Sequence, residues 1–172
     1  MRLSSSSLAL LAVALFVATP SHAQFANRSL GLSAGYMKFN NTASLGDTVF
    51  IGFDASLYIE GGFEVVSLTK LSFPMDTVSG QRVVGLAPSL GVRYLFLEEG
   101  FRPYIGVDLS YLHVFKPTGE SNFFGLGPNV GFEAFVSDSV SLGLRAQLNA
   151  YLSLSERVQT SLIFSGGASV YF

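Results

Sequence analysis

The chain of 172 residues contains no cysteine and no tryptophan, and only 13% of its residues are charged. Without cysteine, disulfide bonds, thiolate metal sites and a lipoprotein anchor are excluded. The charged fraction is about half of the roughly 25% that is typical of soluble domains. A formal net charge of −2 with no run of like charges leaves no basic patch for nucleic acid. Beyond the N-terminal segment, no apolar run approaches the about 18 residues that a membrane-spanning helix requires, which excludes a helical membrane protein.

The N-terminal segment has the parts of a secretory signal peptide. An arginine precedes an unbroken run of 11 apolar residues at Leu8–Ala18, and small residues follow at Ser21 and Ala23. This pattern predicts cleavage directly after Ala23. We therefore expect a signal peptide at residues 1–23 and a mature domain at residues 24–172. The alternative, an N-terminal membrane anchor, needs a longer apolar run.

The segment Val140–Ser155 alternates between apolar and small or polar residues along its whole length. Apolar side chains occupy every second position from Val140 to Leu154. A strand places all of them on one face, whereas a helix would scatter them around its circumference. The alternation is longer than an ordinary strand of about five or six residues. It is long enough for a membrane-crossing strand, which needs about 9–11 residues.

Similar alternation recurs along the chain and predicts eight strands in total. The other seven segments are 29–36, 48–59, 63–73, 84–96, 104–111, 124–136 and 161–172. In Phe63–Phe73 the two parities compete, so a bulge could shift the phase midway and we leave its faces unassigned. The connecting segments are rich in Gly, Asn, Asp, Ser and Pro, as turns require. They alternate between longer and shorter ones, which is typical of a transmembrane barrel: 40–47, 60–62, 74–81, 98–100, 116–121, 137–139 and 156–159.

The two faces of these strands favour a closed barrel over a soluble sandwich. In a sandwich the outward face is polar, whereas here one face is strongly apolar and the other carries glycine, serine and a few charges. An apolar belt of this extent must be covered by lipid, and only closure removes the strand edges. Aromatic residues near strand ends would form interfacial girdles: Tyr36, Phe39, Tyr94, Phe96, Tyr104, Tyr111, Phe115, Phe124, Phe135 and Phe172. We expect the inward charges to pair in a polar network inside the lumen: Asp54, Arg93, Asp108, Glu133 and Arg145.

The last predicted strand resembles the C-terminal signature of Gram-negative outer-membrane β-barrels. Phe164, Ala168, Val170 and the terminal Phe172 stand at alternate positions. The departure is Val170, where a tyrosine is common in that family. The mature chain as a whole is similar to the small eight-stranded class that includes the OmpA membrane domain and OmpX. This resemblance implies an all-β, eight-stranded antiparallel up-and-down barrel in the outer membrane, with membrane lipid around it and the barrel-assembly machinery as a partner that reads these residues.

The sequence carries little catalytic chemistry. His113 is the only histidine after the predicted cleavage site, and the position two residues on, where small barrel deacylases have a serine, is Phe115. We therefore expect no enzymatic activity, no cofactor and no metal site. The expected role is structural, adhesive or complex-forming with other envelope proteins, with a lumen largely filled by side chains. The alternatives are a narrow channel for ions or small hydrophobic molecules and, less favoured, a lipid-modifying enzyme.

Overall fold

The computed structural model describes residues 27–40, 45–98, 100–116, 119–152 and 159–172. The predicted signal peptide, with Ser21 and Ala23 at its cleavage site, lies outside the described residues. So do parts of four predicted connections and the end of the seventh predicted strand. Within the described ranges, no helix is long and apolar enough to cross a membrane.

The described residues form eight antiparallel strands in chain order. Each strand pairs with the next, and the last pairs with the first, so that the sheet closes on itself. The strands are β1 (Arg28–Phe39), β2 (Thr48–Glu60), β3 (Phe63–Ser72), β4 (Val84–Leu95), β5 (Phe101–Lys116), β6 (Gly119–Phe135), β7 (Val140–Leu152) and β8 (Gln159–Tyr171). The predicted all-β, eight-stranded antiparallel barrel is confirmed.

The closing seam lies between β1 and β8. Leu32 is opposite Ala168, and Ala34 is opposite Gly166, in an antiparallel register that runs almost the full length of both strands. Because every strand has a partner on both sides, backbone N–H and C=O groups of the wall bond within the sheet. This arrangement leaves no strand edge open to another chain.

Burial alternates along the strands as the sequence pattern predicts. In β4 every second residue is buried, from Gly85 to Leu95, while the residues between them are exposed. The exposed set is apolar and includes Leu90 and Val92. Similar exposed apolar residues occur on all eight strands, so the barrel carries an apolar belt outside and a mixed interior.

Strand β3 resolves the one face assignment that the sequence left open. Its inward side chains are Glu64, Val66, Leu68, Lys70 and Ser72, and no phase change interrupts them. The register irregularity lies in the preceding turn region, between Tyr58 and Glu60 of β2. A bulge within β3 is therefore not needed. The parities competed in the sequence because β3 carries apolar residues on both faces.

Three aromatic residues assigned to the outer girdles face the interior instead. Phe39 and Tyr104 are buried, at 4% and 5% exposure, and Phe135 lies two positions from the inward Glu133 and contacts the inward Tyr171. The sequence analysis assigns an aromatic residue to a girdle when it lies near a strand end. Whether a side chain faces outward depends instead on its position in the inward–outward alternation of the strand, and that position turns these three rings inward.

Strands β5 and β6 are longer than predicted. β5 continues through Lys116 and β6 begins at Gly119, with Phe115 opposite Glu120 and His113 opposite Asn122. The polar residues that the sequence analysis assigned to a loop therefore belong to these two strands. Their backbone groups continue the ladder because inward residues such as Val114 stay buried to the end of β5.

The turn between β2 and β3 requires glycine. Gly61 and Gly62 both have positive φ, at 63° and 84°. A two-residue hairpin of the type that matches strand twist needs positive φ at both positions, which glycine adopts without steric cost.

Candidate functional site in the barrel interior

Glycine on the inward face makes room for the polar side chains of neighbouring strands. A Cβ atom at Gly91 would collide with the Asp108 carboxylate, and one at Gly127 would collide with the side chain of Asn149. Gly31 leaves space in the same way for Asp54. The alternation of glycine with charged residues is therefore a packing requirement of a narrow lumen.

The first layer of the interior, which we call the terminal layer, lies at the end of the barrel where the backbones of Arg28 and Phe172 are hydrogen-bonded to each other. Arg93 of β4 bridges two carboxylates: its Nε is 2.5 Å from Glu64 Oε2, and its Nη2 is 2.7 Å from Glu133 Oε1. All three side chains are more than nine-tenths buried. Charge-assisted bonds of this kind make the burial of the three charges tolerable.

Hydroxyl and aromatic groups complete the terminal layer. Tyr171 donates a hydrogen bond to Glu133, and Ser56 donates one to Glu64. The guanidinium of Arg93 lies 4.6 Å from the ring centroid of Tyr104. Tyr171 is the inward neighbour of the predicted C-terminal signal, and it ties the last strand to the charged centre.

The second layer, the middle layer, is built around Asp108 of β5. Arg145 donates to Asp108 Oδ2, and Gln147 Nε2 donates to the same oxygen at 2.7 Å. Gln147 also reaches Asn149 Oδ1 at 2.7 Å, and Asn149 donates to the hydroxyl of Tyr151 at 2.9 Å. These side chains form a continuous hydrogen-bonded row along the inward face of β7.

Lys70 joins the middle layer from β3. It is 1% exposed, and its Nζ lies 3.4 Å from Gln147 Oε1. Lys70 and Glu64 were not among the predicted network residues, because the faces of β3 were unassigned. The signal was present: both stand on the same parity of Phe63–Phe73, six positions apart.

The third layer is mainly apolar, shares Tyr151 with the middle layer, and lies at the end of the barrel opposite Arg28 and Phe172. Its side chains come from the strands, from Leu45 of the β1–β2 connection and from Val83 of the β3–β4 connection, and they form one buried cluster. We call this cluster the apolar plug. Its members are Met37, Phe39, Leu45, Phe50, Val83, Ala87, Leu112, Val114, Phe123, Tyr151 and Ile163.

Of the five predicted network residues, the structure brings four into direct ion pairs. Arg93 pairs with Glu133, and Arg145 pairs with Asp108. Asp54 takes a hydrogen bond from Ser169 at 3.4 Å. It lines a cavity of about 60 Å³ between the two charged layers, together with Arg93, Glu133 and Arg145. A cavity of this size has room for only a few water molecules.

The residues of the resembling C-terminal signature all lie on the outer face. Phe164, Val170 and Phe172 are 53%, 51% and 45% exposed, and Ala168 is exposed between them. They form a ridge along β8 beside the seam.

His113 lies on the outer parity near the far end of β5. Its Nδ1 is 2.5 Å from Asn122 Oδ1, and its Nε2 is 3.7 Å from Glu120 Oε2. Tyr111 donates to the same oxygen of Asn122 at 2.7 Å. No group of three or more metal-ligating side chains occurs among the described residues.

A closed barrel of eight antiparallel strands, with an apolar belt outside and a polar interior, is the architecture of small transmembrane barrels. Among the solved structures with a similar fold are three crystal structures of outer-membrane proteins. Neisserial surface protein A is 19% identical, with a TM-score of 0.65, and the match covers 84% of this chain and 97% of that one. The N-terminal barrel domain of Pseudomonas aeruginosa OprF is 15% identical, with a TM-score of 0.58 and coverage of 84% and 97%. Pseudomonas aeruginosa OprG is 11% identical, with a TM-score of 0.53 and coverage of 86% and 97%.

These likenesses confirm the resemblance to small eight-stranded outer-membrane barrels at the level of the fold. The chain matches no protein-family model, and no curated protein matches it in sequence.

Proposed function

We propose that the chain is an integral outer-membrane β-barrel of a Gram-negative bacterium that does not conduct, and that its role is structural, adhesive or complex-forming. The observation that carries this proposal is the filled lumen inside an apolar belt. The exposed apolar side chains on every strand need lipid around them, and the interior is packed by the terminal layer, the middle layer and the apolar plug in succession.

The apolar plug is the part that argues most strongly against conduction. Leu112, Val114 and Phe123 are at most 1% exposed at the far end of the lumen. An ion that crossed this layer would exchange its hydration for a lining that is mainly apolar, with only a few hydroxyl groups such as those of Ser72 and Ser161, and this exchange is unfavourable. The proposed partners are therefore outside the lumen: membrane lipid, other envelope proteins and, during biogenesis, the barrel-assembly machinery.

Recordings in planar lipid bilayers test the closed lumen. We expect purified, refolded protein to leave the bilayer at its baseline conductance. Insertion would be verified in the same sample by heat-modifiable migration on a mildly denaturing gel, because a folded barrel runs differently from the unfolded chain. Steady single-channel steps from folded protein would overturn the closed-lumen proposal and favour the narrow channel. Recovery of the protein from the soluble periplasm would overturn the membrane placement itself.

The narrow channel is the second candidate, and the cavity beside Asp54 is the observation in its favour. The cavity lies between the charged layers and is lined by three further charged side chains. A channel would require this cavity to connect past the apolar plug. Weak conductance that Asp54→Asn alters would support this candidate.

The outward ridge on β8 supports the proposed recognition by the assembly machinery. Phe164, Ala168, Val170 and Phe172 are accessible side by side on one face. We expect Phe172→Ser to lower the amount of barrel recovered in the outer membrane, while Val136→Ser, which also changes an exposed apolar residue, leaves it unchanged. Equal recovery of both variants would contradict this role for Phe172.

A further inference from the structure

The outer surface of the barrel has an apolar depression at the seam, which we call the seam trough. Small residues make its floor: Ala34 of β1, Ala146 of β7 and Gly166 of β8. It is an open groove with a volume of about 720 Å³. Much of the belt elsewhere carries larger side chains.

The strand register explains the shape of the trough. One row of outward residues runs Val130, Ala146, Phe164 and Tyr36 across β6, β7, β8 and β1. The next row, towards the terminal layer, runs Phe132, Leu144, Gly166 and Ala34. Along β7, β8 and β1 a large side chain therefore stands next to a small one, and the small residues Ala146, Gly166 and Ala34 form the floor between the larger side chains.

The ring of Tyr36 forms one wall of the trough and is held in place by its hydroxyl group. The hydroxyl of Tyr36 donates to Asp47 Oδ2 at 2.7 Å, and Asp47 Oδ1 accepts the backbone N–H of Phe39 at 2.9 Å. The Tyr36 ring is therefore anchored with its polar end towards the loops and its apolar face along the trough. Tyrosine takes this orientation at a membrane interface.

A second, smaller depression of about 220 Å³ continues the trough towards the loop end of the barrel. It shares Val130 and Ala146 with the seam trough and is lined further along by Leu148 and Leu162. Leu162 is opposite Lys38 of β1 in the sheet register, and Lys38 is exposed. The apolar groove on the outer wall therefore ends beside a cation, at the end of the barrel that carries the longer loops.

We propose that the seam trough and its extension seat an acyl chain of an anionic, phosphate-bearing lipid of the outer leaflet, with the Lys38 ammonium at the lipid phosphate. An apolar wall in the belt suits an acyl chain, and a cation at the interface suits an anionic head group. A second copy of the chain would need no cation at this point. The proposal rests on the membrane placement proposed above and is independent of whether the lumen conducts.

Photocrosslinking tests the proposal in nanodiscs of phosphatidylcholine that contain phosphatidylglycerol with a photoactivatable acyl chain. We expect cross-links to concentrate on the β7 and β8 segments that carry Ala146 and Phe164, as mapped by mass spectrometry. Ala146→Phe fills the trough and should abolish this preference. Ala150→Phe makes the same change at an exposed, outward position of β7 outside the trough and should leave it intact.

Lys38→Gln tests the contact with the head group separately from the contact with the acyl chain. We expect it to lower labelling by phosphatidylglycerol about fivefold, as expected for one cation near an anionic lipid, and to leave labelling by an equivalent phosphatidylcholine probe unchanged. Arg82→Gln, which neutralises an exposed cation on the β3–β4 connection, should have no effect.

Three outcomes would overturn the proposal. Even labelling around the belt would show that lipid contacts are unselective, and equal losses for both lipid probes in Lys38→Gln would remove the role of the charge. Protein-to-protein cross-links within the trough would assign it to a second copy. Each variant is first checked for heat-modifiable migration in the nanodisc. Failure of the unaltered protein to insert would instead contradict the membrane placement on which the proposal rests.

Discussion

At the scale of single residues, the interior is organised by what each charge contacts. Arg93 satisfies two carboxylates at once, and the cost of burying any member depends on the other two. The sequence predicted Arg93 and Glu133 because each follows an apolar residue in a clean alternation. It did not predict Glu64, although Glu64 makes the shortest contact with Arg93, because the parity of β3 was ambiguous.

Arg93→Met would leave Glu64 and Glu133 buried without their cation. We expect the free energy of unfolding in lipid or detergent to fall by about 3–5 kcal/mol, which is typical of a broken buried pair. Urea titration monitored by circular dichroism measures it. Arg82→Met, at an exposed loop position, is the control and should change stability by less than about 0.5 kcal/mol.

Neutralising the two carboxylates together with the arginine gives a further check. Arg93→Met combined with Glu64→Gln and Glu133→Gln should recover much of the lost stability, because no unpaired charge remains. If Arg93→Met alone were as stable as the unaltered protein, the pairing seen in the structure would be contradicted.

Asp76, in the connection between β3 and β4, makes that connection sensitive to acid. Its carboxylate accepts the hydroxyl of Ser79 at 2.6 Å and the Ser79 N–H at 3.2 Å, and these bonds, with Lys116 Nζ at 3.9 Å, lower the pKa of Asp76. A carboxyl whose pKa is lowered on folding stabilises the fold above its unfolded pKa of about 3.9. That contribution is lost as the pH falls through the folded value.

We therefore expect the β3–β4 connection to lose its protection against hydrogen exchange as the pH falls through the lowered pKa of Asp76, below about 4, while the strands stay protected. Protection factors at pH 6 and pH 3, each corrected for the intrinsic exchange rate at that pH, resolve the two regions. Asp76→Asn should exchange rapidly at both pH values. An unaltered connection that is equally protected at both would refute the role of the carboxylate.

At the scale of elements, strand position was predictable and strand extent less so. Alternation located all eight strands because one face of each strand is exposed and largely apolar, whereas the other face lines a crowded lumen. It underestimated β5 and β6, where polar residues such as Glu120 and Asn122 stand on a strand that projects beyond the apolar belt. The polarity of a sequence segment cannot distinguish a loop from such a strand extension. Only the backbone hydrogen bonds to the neighbouring strand distinguish them, and these are seen in the structure alone.

Two leucines of β5 test the alternation directly. Leu109 is 64% exposed on the outer face, whereas Leu112 is 1% exposed in the apolar plug. We expect Leu112→Ala to cost about 2–5 kcal/mol, as core truncations do, and Leu109→Ala to cost much less. Leu109→Arg should cost roughly 2–4 kcal/mol if the residue faces the middle of a bilayer. Equal costs for the two alanine variants, measured by urea unfolding in lipid, would contradict the assigned faces.

At the scale of the whole molecule, closure between β1 and β8 was predictable because an apolar belt in lipid leaves no place for an open edge. The layering of the lumen was not. The residues of the apolar plug are far apart in sequence and come together only because the strands are tilted and staggered around the barrel. Pattern within one strand says which face a side chain takes, but not which neighbours it meets across the lumen.

The seam can be tested by disulfide formation, since the unaltered chain has no cysteine of its own. Ala34 and Gly166 are directly opposite each other, at a Cα separation of about 4.5–5.5 Å that a disulfide can span. We expect Ala34→Cys with Gly166→Cys to oxidise readily in the folded barrel. Ala34→Cys with Ala168→Cys, two positions out of register, should oxidise poorly. The reverse order on a non-reducing gel would show that the register is wrong.

The succession of charged layers and apolar plug along one axis has a consequence for how the barrel tolerates mutation. Two barriers in series limit flow by whichever is tighter, so a substitution that empties one layer leaves the other in control. A variant in the terminal layer should therefore lose stability without making the membrane leaky. A pore would require simultaneous losses of packing at both ends of the lumen. A single substitution should therefore lower stability well before it makes the barrel permeable.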